Sequence, residues 1–265
     1  MLGTPALSRV VRRQGNVDAR LGHLGLQLYT VRDLMDHDVE RTIAAVAAIG
    51  YREVELAGLH NKTAKEMRAM LDRHGLRARS SHISMQDIRR NWARTLDDAA
   101  TLGQTYIVNP WIDEPERTVD GYTKAAHEMT AAAEAARAHG IGFAYHNHDF
   151  EFAHVGDKLG YDILLAESDP KLVKMELDIF WIVKGGQDPL AYFARQPGRF
   201  PMVHAKDITK DGKMVDVGQG TVDWRGIFGH ARQAGLEYTF VEHDEPPSPI
   251  ADAKASYDYL HSLTF

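Results

Sequence analysis

Apolar and polar positions repeat one unit along this chain: a stretch with apolar residues every three or four positions, a glycine, an apolar β-like run, then a polar residue. The unit is plain in TIAAVAAIGYREVEL (42–56), MLDRHGLRARSSH (70–82), DDAATLGQTYIVN (97–109), AEAARAHGIGFAYHNH (133–148) and ARQAGLEYTFVEHD (231–244). Three- and four-residue spacing marks a helix face, and a short apolar run marks a strand buried on both sides. The glycines (Gly50, Gly75, Gly103, Gly140, Gly235) fall where a helix C-terminus takes a left-handed residue. LVKMELD (172–178) and RFPMVHAKD (199–207) fit the strand half of the unit, and LGLQLYT (24–30) supplies one more, so eight strands are expected. Helices are expected near 38–49, 63–74, 88–102, 118–139, 188–195, 223–234 and 251–262, with a less regular one around 161–167.

Strand alternating with helix predicts an α/β fold with a parallel sheet, because parallel neighbours need crossover connections. Eight such units in about 250 residues match a closed (β/α)8 TIM barrel better than an open doubly wound sheet. The open sheet is the runner-up, but no G-x-G-x-x-G follows an early strand. No linker or composition shift interrupts the series. The expected organisation is an N-terminal extension over 1–22 and one barrel domain over 23–265.

Composition narrows the chemistry. The 265 residues are 44% hydrophobic and 26% charged, enough to bury a core. A net charge of -6 offers no basic face to nucleic acid, which leaves a small molecule as the expected partner. There is no cysteine, so disulfides, thiolate nucleophiles and thiolate metal sites are excluded, and any metal must be held by His, Asp and Glu. No apolar run suits a signal peptide or membrane span, and the expected location is cytoplasmic, with no membrane partner.

Active sites of such barrels lie at the C-terminal ends of the strands. Those ends read Gln27 and Tyr29, Glu55, His82, Asn109, His146 and His148, Asp178, His204 with Lys206 and Asp207, and Glu242 with His243. The opposite ends (Tyr51, Leu76, Thr105, Ile141, Leu172, Phe200) read as ordinary barrel floor. Oxygen and nitrogen ligands converging from several strands suit a divalent ion: Mn2+, Co2+, Mg2+ or Zn2+. Asp178, His204 and Glu242 would come from three successive strands, and a fourth ligand from the strand ending in AYHNHDFEF (144–152).

Bland readings stand beside these. A strand-end histidine such as His82 or His243 is commonly structural. Asp178 could cap the following turn, and Glu55 could pair with Lys174 or Lys206. Tyr29, Trp111, Phe180 and Trp181 could simply pack around the mouth, although such aromatics also wall sugar pockets. DGKMVDVGQG (211–220) reads as a loop with tight turns at Gly218 and Gly220, ahead of a phosphate-cradling role. Five strands ending in ligand-capable residues are harder to explain structurally than any one of them.

GLQLYTVRD, YREVEL, SSH, YHNHDFEF, MELDIFW, VHAKD, VGQGTVDW and FVEHDE, in this order over residues 24–263, resemble the xylose-isomerase-like TIM-barrel superfamily of sugar isomerases and epimerases, inosose dehydratase and endonuclease IV. Within it the chain is most similar to the sugar phosphate isomerase/epimerase family. The resemblance implies a metal held by a strand-five carboxylate, Asp178, His204 and Glu242. Many members read Glu-Asn-His where this chain reads His146-Asn147-His148. Either His146 takes the glutamate's place or Glu151 reaches the ion from the loop. Glu151 is favoured, because it keeps three carboxylates on the ion and frees His146 for proton transfer. A dimer or tetramer is the oligomer the resemblance implies.

The reaction the resemblance implies is isomerisation or epimerisation of a sugar or ketosugar, through an enediolate formed next to a carbonyl. His146, Glu151 or Glu242 would serve as base, with Lys206 or His82 as acid or oxygen-binding group. Gln27, Tyr29, Glu55, His82, Asn109, His148 and Trp181 are the expected substrate contacts. Dehydration or β-elimination on a ketosugar, ketoglycoside or inosose is the alternative, suggested by His-Asn-His, since inosose dehydratases are similarly histidine-rich there. Behind these stand a non-catalytic sugar-binding subunit and a DNA-repair endonuclease, the latter at odds with the acidic charge.

Overall fold

In the computed structural model the described residues are 10–11 and 20–265; the rest of the N-terminal extension expected over 1–22 lies outside them. Val10–Val11 pairs antiparallel with Arg20–Leu21. Eight strands follow: β1 Gly25–Gln27, β2 Glu53–Leu56, β3 Arg77–Ser81, β4 Tyr106–Asn109, β5 Gly142–His146, β6 Val173–Asp178, β7 Met202–Ala205 and β8 Tyr238–Val241. They form one parallel sheet in the order β3-β2-β1-β8-β7-β6-β5-β4. Its edges meet. His82 bridges Val108, Thr105 N donates to Arg79 O at 2.8 Å, and Ile83 N donates to Val108 O at 2.8 Å. The expected TIM barrel is therefore the fold, and the open sheet is excluded.

The predicted helices are present at Val39–Ile49, Ala64–Arg73, Met85–Leu102, Val119–Ala138, Gly160–Glu167, Pro189–Arg195 and Pro249–Ser262. The helix expected over 223–234 is two, Trp224–Gly229 and Ala231–Ala234, parted at His230, whose ring Nδ1 meets Gly226 O at 2.8 Å. Gly103 and Gly235 close their helices with φ of 71° and 82°. Ile179–Lys184, an apolar run without helical periodicity, is also a helix; Asp178 caps it by accepting from Trp181 N at 2.8 Å.

Two apolar cores result. The larger lies between the strands and the surrounding helices. The smaller fills the lower lumen with Val108, Ala144, Met202, Tyr238 and Phe240. Gly25 makes room for it, because a Cβ there would lie 2.3 Å from the Phe240 ring. Among the described residues no helix is long and apolar enough to cross a membrane.

Candidate active site

Side chains of a strand alternate between its faces, so each strand sends every second residue into the lumen. Above the apolar plug come His146 of β5, Glu176 and Asp178 of β6, His204 of β7 and Glu242 just past β8. The donor atoms of His146, Asp178, His204 and Glu242 all lie within 4.8 Å of one another, and all four residues are buried. His146 Nε2 is 3.9 Å and His204 Nδ1 4.0 Å from Asp178 Oδ2, and His204 Nδ1 meets Glu242 Oε2 at 2.7 Å. The buried Lys206 ammonium joins the set, 2.7 Å from Glu242 Oε2, 3.1 Å from Asp178 Oδ2 and 2.7 Å from Asp244 Oδ1.

One layer deeper, Glu55 Oε1 meets Gln27 Nε2 at 2.7 Å, His204 Nε2 at 2.8 Å and His82 Nε2 at 2.9 Å. Glu176 Oε2 lies 3.0 Å from His82 Nε2, 3.1 Å from His204 Nε2 and 3.3 Å from His146 Nδ1. The His82 and His204 rings stack with centroids 5.4 Å apart.

These contacts set the protonation. Burial works against charge on His82, but Glu55 and Glu176 lift it to about 9. His204 is likewise raised well above an ordinary imidazole, by Glu176 and Glu242 against its burial. His146 goes the other way, held far down by burial and by the cationic His204 and His82, so it is neutral. His148 falls to about 3 through burial and Lys206. Burial lifts Asp178 to about 6, whereas Glu242 is pulled down by Lys206 and His204 in spite of its burial.

The four mouth residues fit a divalent ion. They combine two imidazoles with two carboxylates, and Asp178 Oδ2 receives no hydrogen bond although it is buried. A mixed nitrogen and oxygen set suits Zn2+, Mn2+ or Co2+. An ion there would displace the proton on His204 Nδ1.

Several expected positions are corrected. Glu151 is fully buried in the Phe150–Phe152 turn, outside the cluster; it accepts from the Tyr145 hydroxyl and, at 2.7 Å, from His148 N. Its carboxyl is pushed up to about 7 by burial. Both oxygens are committed there, and the β5 member of the donor set is His146. Glu55 pairs with imidazoles and not with Lys174 or Lys206. Gln27, Glu55 and Asn109 do not line the cleft: Gln27 braces Glu55, and Asn109 donates to Ile83 O at 3.0 Å. Asp207 points into the following loop, binding Ile208 N, Gly218 N, Val222 N and Trp224 Nε1 at 2.8–3.1 Å. His243 folds back on its own turn, its Nδ1 accepting from Glu245 N at 3.2 Å.

The rest converge. Tyr29, His82, His146, His148, Trp181, Lys206 and Glu242 line a cleft of about 610 Å³ together with Trp111, Phe150 and Asp244. Asn147 ties the β5 and β6 ends together, its Oδ1 accepting from Asp178 N at 3.0 Å. The sequence reading missed Glu176 and Asp244. Glu176 was within reach, two residues before Asp178 and so on the same face; Asp244 lies beyond β8, where alternation carries no information.

The residues 43–263 match the family model described as xylose isomerase-like TIM barrel. An inosose dehydratase of Lacticaseibacillus casei is 22% identical over 264 residues, covering 83% of this chain and 88% of that protein. A crystal structure of a sugar phosphate isomerase/epimerase from Parabacteroides distasonis superposes with a TM-score of 0.81 at 27% identity, over 91% of this chain and 98% of the other. A crystal structure of IolI with a zinc atom bound gives 0.72 at 16% identity, over 92% and 99%. The chain belongs to the xylose isomerase-like TIM barrel family.

Proposed function

We propose that this protein is a divalent-metal-dependent enzyme that removes a proton next to the carbonyl of a sugar or ketosugar, and isomerises or epimerises it. The observation that carries this is the convergence of His146, Asp178, His204 and Glu242 within 4.8 Å at the barrel mouth, beneath an aromatic-walled cleft. An ion held there would act as a Lewis acid on the carbonyl and its neighbouring hydroxyl.

The chain's own residues supply the rest. Tyr29, Trp111, Phe150 and Trp181 offer flat apolar faces to the C–H side of a sugar ring and exclude water from it. His148 is neutral and lines the cleft, so its ring can meet a substrate hydroxyl without bringing charge to it. Lys206 Nζ, kept charged by Asp178, Glu242 and Asp244, can bind a developing oxyanion or return a proton. The partner would be carbohydrate and not nucleic acid, given the net charge of -6.

The relatives named inosose dehydratase favour a second reading, β-elimination from the same site, with Lys206 protonating the departing hydroxyl. Both readings begin with the same proton abstraction. Incubation with Mn2+ in D2O across a panel of sugars and ketosugars should place deuterium on the carbon beside the carbonyl. An intact isomer or epimer supports the first reading, and an unsaturated product the second. Asp178→Asn and Glu242→Gln should each lose the ion and at least about 10³-fold of turnover, since such polarisation contributes several kcal/mol. Absence of bound ion, exchange and turnover with every sugar overturns both readings.

A further inference from the structure

Glu176 touches no cleft, yet one of its oxygens faces three imidazoles. Oε2 lies 3.3 Å from His146 Nδ1, 3.1 Å from His204 Nε2 and 3.0 Å from His82 Nε2. The nitrogens that face the mouth are the other ones: His146 Nε2 toward Asp178, and His204 Nδ1 toward Asp178 and Glu242. The two rings thus meet the mouth through opposite nitrogens and turn opposite nitrogens to the same carboxylate. A neutral imidazole that gives its lone pair to a cation keeps its proton on the far nitrogen, and a carboxylate behind it fixes that choice.

We propose that Glu176 is a positioning residue that locks His146 as the Nδ1–H tautomer and His204 as the Nε2–H tautomer, so that both present lone pairs to the ion. The inference rests on the metal reading above. Glu55 shares the load at His204 Nε2 and His82 Nε2, but the carboxylate that His146 Nδ1 faces is that of Glu176. Without it, His146 loses its reason to prefer one tautomer. Glu176 also places a negative charge directly behind a donor set that has only two carboxylates of its own, which makes both imidazoles better ligands. His146 Nδ1 lies 3.3 Å from Glu176 Oε2 and makes no directed hydrogen bond to any other group.

The test uses Zn2+ as the probe, because it is diamagnetic. In ¹⁵N-histidine-labelled protein loaded with Zn2+, ring-nitrogen shifts should show His146 bound through Nε2 with Nδ1 protonated, and His204 the reverse. In Glu176→Gln, chelator competition should show Zn2+ held about 10- to 100-fold more weakly, and His146 should populate both tautomers. Glu176→Asp, which keeps the charge but withdraws it by one methylene, should fall between. Zn2+ affinity within twofold of the unaltered protein, with unchanged tautomers, overturns the proposal. So does coordination through His146 Nδ1 or His204 Nε2 in the unaltered protein, a result that needs no variant to fold. If the unaltered protein binds no Zn2+, the metal reading fails and takes this one with it.

Discussion

Met202 and His204 stand two residues apart on one strand, as do Ala144 and His146, and Phe240 and Glu242 across the end of another. The first of each pair belongs to the apolar plug in the lower lumen, the second to the candidate metal set above it. Two residues of strand are about 6.6 Å. Over that distance the strands change from an apolar plug, bordered by the Glu53–Arg79 ion pair, to a crowd of imidazoles and carboxylates, several of whose buried atoms make no hydrogen bond. The lower half is what a barrel needs to fold. The upper half carries groups whose burial works against stability unless something binds among them.

Three changes would break or sharpen that contrast. Met202→Ala opens a cavity in the plug and should cost about 2–5 kcal/mol of unfolding free energy by denaturant titration, while Zn2+ affinity stays unchanged. A large loss of ion binding would mean that the two halves are not separable. Lys206→Met removes the ammonium from between Asp178, Glu242 and Asp244 while keeping the volume. On the ion-loaded protein, turnover should fall by about 10²-fold. Ion affinity should not fall, because a competing cation has left two donor oxygens; weaker ion binding would contradict this placement of Lys206. The smallest effect concerns pH. Glu151 is raised to about 7 in the fold from an ordinary 4.5, so the stability tied to its protonated form is fully present below about 4.5 and is lost as pH rises through 7. Glu151→Gln should therefore show a shallower loss of melting temperature over this window than the unaltered protein. Parallel curves would show that burial does not govern this carboxyl.

Five of the eight strands were legible because a helix ends on a glycine just before them, and the other three because their runs match the strand half of the same unit. Asp178, His204 and Glu242 were legible because strand ends in a barrel converge. Glu176 followed from the same alternation but sits one step below the ends, and a reading confined to the ends passes over it. Glu151 was placed wrongly for a different reason. Its position depends on how the 147–152 turn folds, and the outward-facing Tyr145 hydroxyl captures it there, a tertiary contact that spacing cannot encode. Asp207 behaves alike: it ends a strand motif but serves the loop, where four N–H groups meet its carboxylate. The break at His230 came from a side chain reaching its own helix's backbone, again invisible in the apolar pattern.

Asp178 divides its two oxygens. Oδ2 faces the donor set, while Oδ1 holds the amide of Trp181 at the first turn of the 179–184 helix. The Trp181 indole in turn walls the cleft, with Lys184 Nζ 4.5 Å and Lys206 Nζ 5.7 Å from its ring. A load placed on one oxygen is thereby transmitted through a single carboxylate to the backbone that aims the indole. The orientation of one wall of the cleft is therefore set by the same side chain that offers an oxygen to the donor set.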